Sequence, residues 1–326
     1  MKYLDVTYTN GVIAAREKYL LKEKLLRFCE LNAEEAFRAL LESGFGGGAE
    51  TATSVYDYET LIAAEEEKLD LFIREYAPSE IEKKYLFSPR DFHNAKAFIK
   101  ATYLNADVER MLAPEGMIPI EVLQSCVQNK DYTALETYNS ILKNACEEAE
   151  ALLEKEPSGS KLGDIFEKAV YRYLYSVVSR RSVLKKLLIA KADMTNILTA
   201  FRCGDQETAE SKYLPIGKLK TEDLTKLFDE NVETVEKAFA RTDYADFVKQ
   251  CLEAKAKGLP LTQAERLRDG YDTAYFMSKK YDLQKNEPFL YYVYRRRMES
   301  ANVRIIFVCL LAGMSEQDIK NRLRVW

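Results

Sequence analysis

The stretch EPFLYYVYRRRMESANVRIIFVCLLAGMSEQDIKNRLRVW, Glu287 to Trp326, decides the fold class. Pro288 suits the first turn of a helix, where its missing N–H leaves no bond unmade. Phe289, Val293, Val303, Phe307 and Leu310 then recur at helical spacing. Gly313 can close the helix in the left-handed conformation. Ser315 to Asp318 reads as a capping box that opens a short terminal helix. In the middle of the long helix Asn302 shares its neighbourhood with Met298, Ile305, Ile306 and Cys309. An amide buried without partners costs about 2–7 kcal/mol on transfer scales, so Asn302 is expected to be hydrogen-bonded.

The same arrangement occurs twice more. Asp91-x-x-Asn94, Asp193-x-x-Asn196 and Glu299-x-x-Asn302 stand 102 and then 106 residues apart. Glu136-x-x-Asn139 and Asp318-x-x-Asn321 match the bare pattern too, so the context carries the argument. Five residues after each repeated Asn come Ile99, Phe201 and Phe307; seven after come the small residues Ala101, Cys203 and Cys309. A second marker has nearly the same period. Pro114-x-Gly116 with Glu121 and Leu123 returns as Pro215-x-Gly217 with Glu222 and Leu224, displaced by 101. Two markers at one period predict three related helical bundles, over residues 1–110, 111–208 and 209–326, with Asn94, Asn196 and Asn302 as equivalent positions.

Composition agrees with an all-α chain. Only 13 Gly and 8 Pro occur in 326 residues, and alternating β-branched runs are absent. Moving outward, the pattern predicts a helix from after Gly11 to about Leu31, then Ala33–Glu42, a glycine loop at Gly44–Gly48, and a long helix ending near Pro78. Ser79 and Ser88 read as successive N-caps, which makes Asp91 a candidate capping carboxylate. The second unit reads as Ile120–Gln128, Tyr132–Leu153 and Leu162–Phe201, with a loop at Glu156–Ser160. The third reads as Glu222–Phe228, Val232–Ala240, Tyr244–Lys257, a helix capped at Thr262, and the closing helix.

Function classes fall away in turn. The net charge of −4 provides no basic domain for nucleic acid. The longest uncharged apolar run, Ile305 to Met314, is about half of the ~20 residues a membrane span needs. The start MKYLDVTYTNG has no signal-peptide core. Six scattered cysteines without a C-x-x-C pair read as reduced buried thiols. No phosphate loop is present, Gly44–Gly48 lacks the third glycine of a dinucleotide fingerprint, and no metal-ligand spacing occurs. The expectation is therefore no catalytic, cofactor or metal residue, and no bound nucleotide. The single histidine, His93, lies beside Asp91 and Asn94 and reads as structural or solvated; a helical enzyme using Asp91 and His93 is the competing view. Arg295, Arg296 and Arg297 read first as a solvated helix face, and second as a contact for an acidic partner. From the residues alone the chain is a helical scaffold built from three repeats, and a stand-alone α-helical repeat adaptor in the cytosol is the alternative to any larger assembly.

A resemblance goes further. The closing stretch, with Glu287-Pro288, Glu299, Asn302, Arg304, Gly313, Ile319 and Arg322, resembles the C-terminal signature of the C subunits of bacterial and archaeal V/A-type ATPases, the counterparts of the eukaryotic V-ATPase d subunit. Tyr8-x-Asn10, Leu20-Leu21, the Leu40–Gly46 run LLESGFG, the Asn196 segment and Pro215-x-Gly217 are similar to the family as well, so the likeness covers essentially the whole chain. Gly11-Val-Ile-Ala departs from it, where members often carry a basic residue. The resemblance implies a funnel of three helical units about a pseudo-threefold axis, monomeric when isolated and noncatalytic. It implies one copy on the cytoplasmic end of the proteolipid ring, holding the tip of the central shaft made of the D and F subunits. Such a part transmits torque for ATP-coupled H⁺ or Na⁺ transport, while the ion site itself lies in another chain.

Overall fold

The computed structural model describes residues 6–21, 23–104, 107–155, 158–282 and 285–324. All regular structure among them is helical. In chain order the α-helices are α1 (Val6–Arg16), α2 (Lys24–Phe28), α3 (Ala33–Glu42), α4 (Tyr58–Tyr76), α5 (Glu80–Leu104), α6 (Ile120–Asn129), α7 (Ser140–Lys155) and α8 (Gly159–Val177). They continue as α9 (Val183–Arg202), α10 (Gln206–Lys212), α11 (Thr221–Thr225), α12 (Val232–Phe239), α13 (Ala245–Ala256), α14 (Thr262–Met277), α15 (Glu287–Leu311) and α16 (Glu316–Arg322). Short 3₁₀ turns link several of them. The chain folds as two compact units, one of residues 1–80 with 269–326 and the other of residues 81–268.

In the first unit α15 is the central post. Phe289, Val293, Val303, Ile306 and Phe307 are wholly buried, so are Glu299 and Asn302 beside them, and Leu290 and Tyr291 are buried on other sides of the same helix. A helix buried on most of its circumference needs neighbours all around it. Leu21, Leu25, Phe28, Phe37, Leu40, Leu61 and Ile62 supply them, and Ile319 of α16 joins the same core. Phe307 meets Phe37 edge-on with ring centroids 6.2 Å apart, and stacks on Tyr58 at 5.5 Å. Phe289 stacks on Phe72 at 5.8 Å. Each such ring contributes about 1.5–3 kcal/mol through removal of apolar surface from water.

The second unit is built around α9, whose Ile197 and Leu198 are buried against Leu224, Leu227, Val235, Phe239, Val248 and Cys251.

Several boundaries differ from the sequence expectation: α1 already begins at Val6, before Gly11, the expected Tyr132–Leu153 helix is a 3₁₀ turn at Thr133–Thr137 followed by α7, and three more differ for a clear local reason. The first charged segment is not one helix to Leu31: the chain is extended at Leu20 (φ −69°, ψ 137°), and the Leu21 N–H leaves the helical ladder to bond Glu299. Ser88-Pro89 does not start a helix; α5 runs through Pro89, and the Asp91 carboxylate, freed from capping, binds a distant backbone. The 162–201 segment breaks in two at residues 178–182, where Ser182 accepts the Leu184 N–H and caps α9. Glu156 and Pro157 of the expected loop lie outside the described residues.

Candidate functional site

The three repeated asparagines are buried, and each holds the backbone of one later residue by both of its polar groups. Asn94 Nδ2 donates to Ala113 O (3.1 Å) while its Oδ1 accepts from Ala113 N (2.8 Å). Asn196 does the same with Leu214, at 3.1 and 2.7 Å. Asn302 does so with Arg324, at 3.3 and 2.7 Å. An amide offers one donor side and one acceptor side, so a two-point match to a peptide N–H and C=O satisfies both chains at once.

In the first two copies the acid one helical turn before the asparagine grips the next piece of backbone. Asp91 accepts from Met117 N (2.9 Å) and Ile118 N (3.0 Å). Asp193 accepts from Lys218 N (3.0 Å), Leu219 N (3.0 Å) and the Tyr244 hydroxyl (2.6 Å). Hydrogen bonds to an ionised acceptor are roughly twice as strong as neutral ones. The glycines of the second marker belong to this grip. A β-carbon at Gly116 would overlap Asp91 Oδ1, and one at Gly217 would overlap Asp193 Oδ1. The Asp/Asn pair and the Pro-x-Gly turn are thus two halves of one device, rather than independent markers.

The third copy differs. Glu299 reaches the backbone of the N-terminal segment, accepting from Leu21 N at 2.9 Å. It also carries charge. Arg296 Nη1 donates to Glu299 Oε2 (3.0 Å) and to Tyr19 O (3.2 Å), and Arg296 pairs directly with Glu65. Arg295 Nε lies 3.6 Å from Glu299 Oε1. Glu65 in turn accepts from Gly46 N at 2.8 Å. That bond fixes the glycine loop, where Gly46 has φ 63° and a β-carbon would meet the Leu61 backbone. Burial pulls the Arg296 guanidinium below its ordinary pKa, against the opposing pull of Glu299.

This overturns the reading of Arg295 to Arg297 as a solvated face. Arg295 and Arg296 are buried among their own fold's carboxylates, and Arg297 is half-buried. Three consecutive residues on a helix point in three directions, so a cationic run on a helix buried on most sides must send some of its charges inward. Arg304, by contrast, stays near the surface and holds Glu59 through Nε (2.8 Å) and Nη2 (3.0 Å).

His93 is exposed, and its Nε2 donates to Met111 O at 2.8 Å. It and Asp91 therefore engage separate stretches of backbone. The six cysteines form no disulfide, and all but Cys203 are buried. Burial pushes the thiol of Cys29 up to about 11 and that of Cys251 up to about 12, which keeps both protonated and inert at neutral pH. Among the described residues no group of His, Cys, Asp or Glu is placed to hold a metal, and no helix is long and apolar enough to cross a membrane. A cleft of about 550 Å³ in the first unit, lined by Arg16, Lys68, Phe72, Tyr292 and Arg296, has the Glu65–Arg296 pair in its wall. No sequence motif pointed to it.

Fold and site together define an all-helical protein whose buried polar side chains are used to hold its own backbone. Over residues 9–322 the chain matches the family described as ATP synthase (C/AC39) subunit, and it belongs to that family, the C subunits of V/A-type ATPases. It is 22% identical over 276 residues to the C subunit of the V-type sodium ATPase of Enterococcus hirae, with 82% of each chain covered.

Proposed function

We propose that this chain is the noncatalytic connector of a rotary V/A-type ATPase or ATP synthase. One copy sits on the cytoplasmic end of the membrane proteolipid ring, receives the tip of the central shaft made of the D and F subunits, and passes torque between them. The observation that carries this reading is the family match along almost the whole chain, joined by the similarity to a relative that is itself the C subunit of a V-type sodium ATPase. In this reading Asn94, Asn196 and Asn302 are equivalent positions of three helical units over 1–110, 111–208 and 209–326, set about a pseudo-threefold axis. The shared two-point grip on backbone supports that equivalence. The isolated chain is a monomer without nucleotide affinity, and the coupled ion is H⁺ or Na⁺ according to residues of the ring.

The test is a pull-down of the tagged chain from solubilised membranes, with identification of what comes with it. The D and F subunits of the shaft and the proteolipid should co-purify. Recovery of the chain with soluble cytosolic proteins alone would replace the connector by the adaptor reading.

A further inference from the structure

The turn between α8 and α9 is basic in a chain that is acidic as a whole. Between Phe166 and Ala192 the sequence holds seven Lys and Arg against one acid, Glu167, whereas the whole chain carries −4. Arg180, Arg181 and Lys186 are exposed at the turn, and Tyr175 beside them is 38% exposed. Lys185 lies over the Tyr175 ring at 3.6 Å, which draws the end of α8 and the start of α9 into one surface. Among the described residues none of Arg180, Arg181, Lys185 and Lys186 has an ion-pair partner.

Stability does not account for this charge. The first turns of a helix favour acids, because the macrodipole is positive there, and cations at that end are unfavourable by some tenths of a kcal/mol each. The first turn of α9 has no acid, and two cations precede it while two more follow within it. Other helices of the chain do place acids there, as Glu34 and Glu35 open α3 and Glu316 and Asp318 open α16. Lys185 is held over Tyr175, but Arg180, Arg181 and Lys186 project as exposed charge, and charge set against the local preference is expected at surfaces that serve function.

We infer that the α8–α9 turn is a docking surface for the anionic headgroups of a lipid bilayer. Clustered Lys and Arg with a flanking tyrosine suit that surface, since charge attracts the headgroups and the amphipathic ring rests at their level. A protein partner of high affinity instead needs a central pocket that accepts an anchor side chain. The residues at this turn line neither the cleft of the first unit nor the one beside Phe239 and Tyr244. The inference rests on the proposed function only in that a bilayer must lie within reach of the chain.

The experiment is sedimentation of the purified full chain with vesicles of phosphatidylcholine alone, or of phosphatidylcholine mixed with phosphatidylglycerol. A parallel arm offers polyglutamate on beads. The wild type should bind the anionic vesicles selectively and lose them at high salt. Arg180→Gln/Arg181→Gln/Lys186→Gln should reduce partitioning about a hundredfold, since each basic residue near an anionic surface is worth about fivefold. All three positions are exposed, so circular dichroism and melting temperature should stay at wild-type values, which keeps the comparison clean. Equal binding to both vesicle types, or an unchanged triple variant, would overturn the inference. So would capture on polyglutamate without vesicle binding, which would assign the surface to an acidic protein. Because this measurement uses the chain alone, it can fail while the pull-down of ATPase subunits succeeds, and the reverse.

Discussion

The grip at Asp193 and Asn196 and the grip at Glu299 and Asn302 perform one operation in two electrostatic settings. In the second unit Asp193 and Asn196 hold Leu214, Lys218 and Leu219, all within 26 residues of sequence, and the carboxylate is satisfied by N–H groups and one tyrosine hydroxyl. In the first unit Asn302 holds Arg324 nearby, but Glu299 reaches Leu21 across 278 positions and shares its oxygens with buried arginines. A local grip needs only a short loop to close, whereas the long-range one cannot form until distant segments have met. The extra methylene of Glu299, and the charges around it, accompany that more demanding connection. The lesson is that a repeated motif keeps what it holds, namely backbone, while the surrounding charge is set by where the held backbone comes from.

The largest effect should come from the charged version. Arg296→Met removes the cation between Glu65 and Glu299 and leaves two buried carboxylates, a loss of about 3–5 kcal/mol. Urea unfolding with a tryptophan-independent probe such as circular dichroism would measure it. A loss under about 1 kcal/mol would mean that the arginine is not what compensates those carboxylates.

Next come the amides. Asn196→Leu and Asn302→Leu should each cost roughly 1–3 kcal/mol, because the backbone groups of Leu214 or Arg324 lose their partner. If the two grips are one device, the two losses agree to within a few tenths of a kcal/mol. If Asn302→Leu melts at the wild-type temperature, the third copy is only a look-alike.

A pair of glycine variants, the second with the smallest effect, separates close approach from turn conformation. Gly217→Ala should cost about 1–3 kcal/mol, since the new methyl presses into the Asp193 carboxylate. Gly313→Ala, at φ 69° with open space around it, should cost only about 1 kcal/mol through backbone strain. Equal losses at the two sites would mean that Asp193 yields freely, and would weaken the grip as an account of the Pro-x-Gly marker.

Much of this was readable from the residues alone, and the exceptions have physical causes. Helical periodicity around Phe289 to Leu310, the stop at Gly313 and the cap at Ser315 give the end of the chain its form: Gly313 has φ 69° and Ser315 accepts from Asp318 N. The asparagines stood out because an amide on an apolar helix face demands partners. Their partners were hidden, because no local rule says which peptide 18 to 22 positions away will present its N–H and C=O. Arg295 and Arg296 were illegible for a related reason. A cationic run looks solvated unless the acids that meet it are known, and Glu65 lies far away in sequence. Leu20 and Leu21 have good helix propensity, yet one bond to Glu299 draws them out of the helix. Tertiary partners decide these cases, and propensity is a weak prior against them.

The central claim is that the chain connects two machines and performs no bond chemistry itself. Its most direct test is reconstitution of the complete ATPase with and without this chain, reading ATP hydrolysis and ion transport on the same preparation. The account predicts that hydrolysis persists without the chain while transport is lost, and that adding the purified chain restores transport. A complex lacking the chain that still pumps ions at the normal ratio to hydrolysis would contradict it.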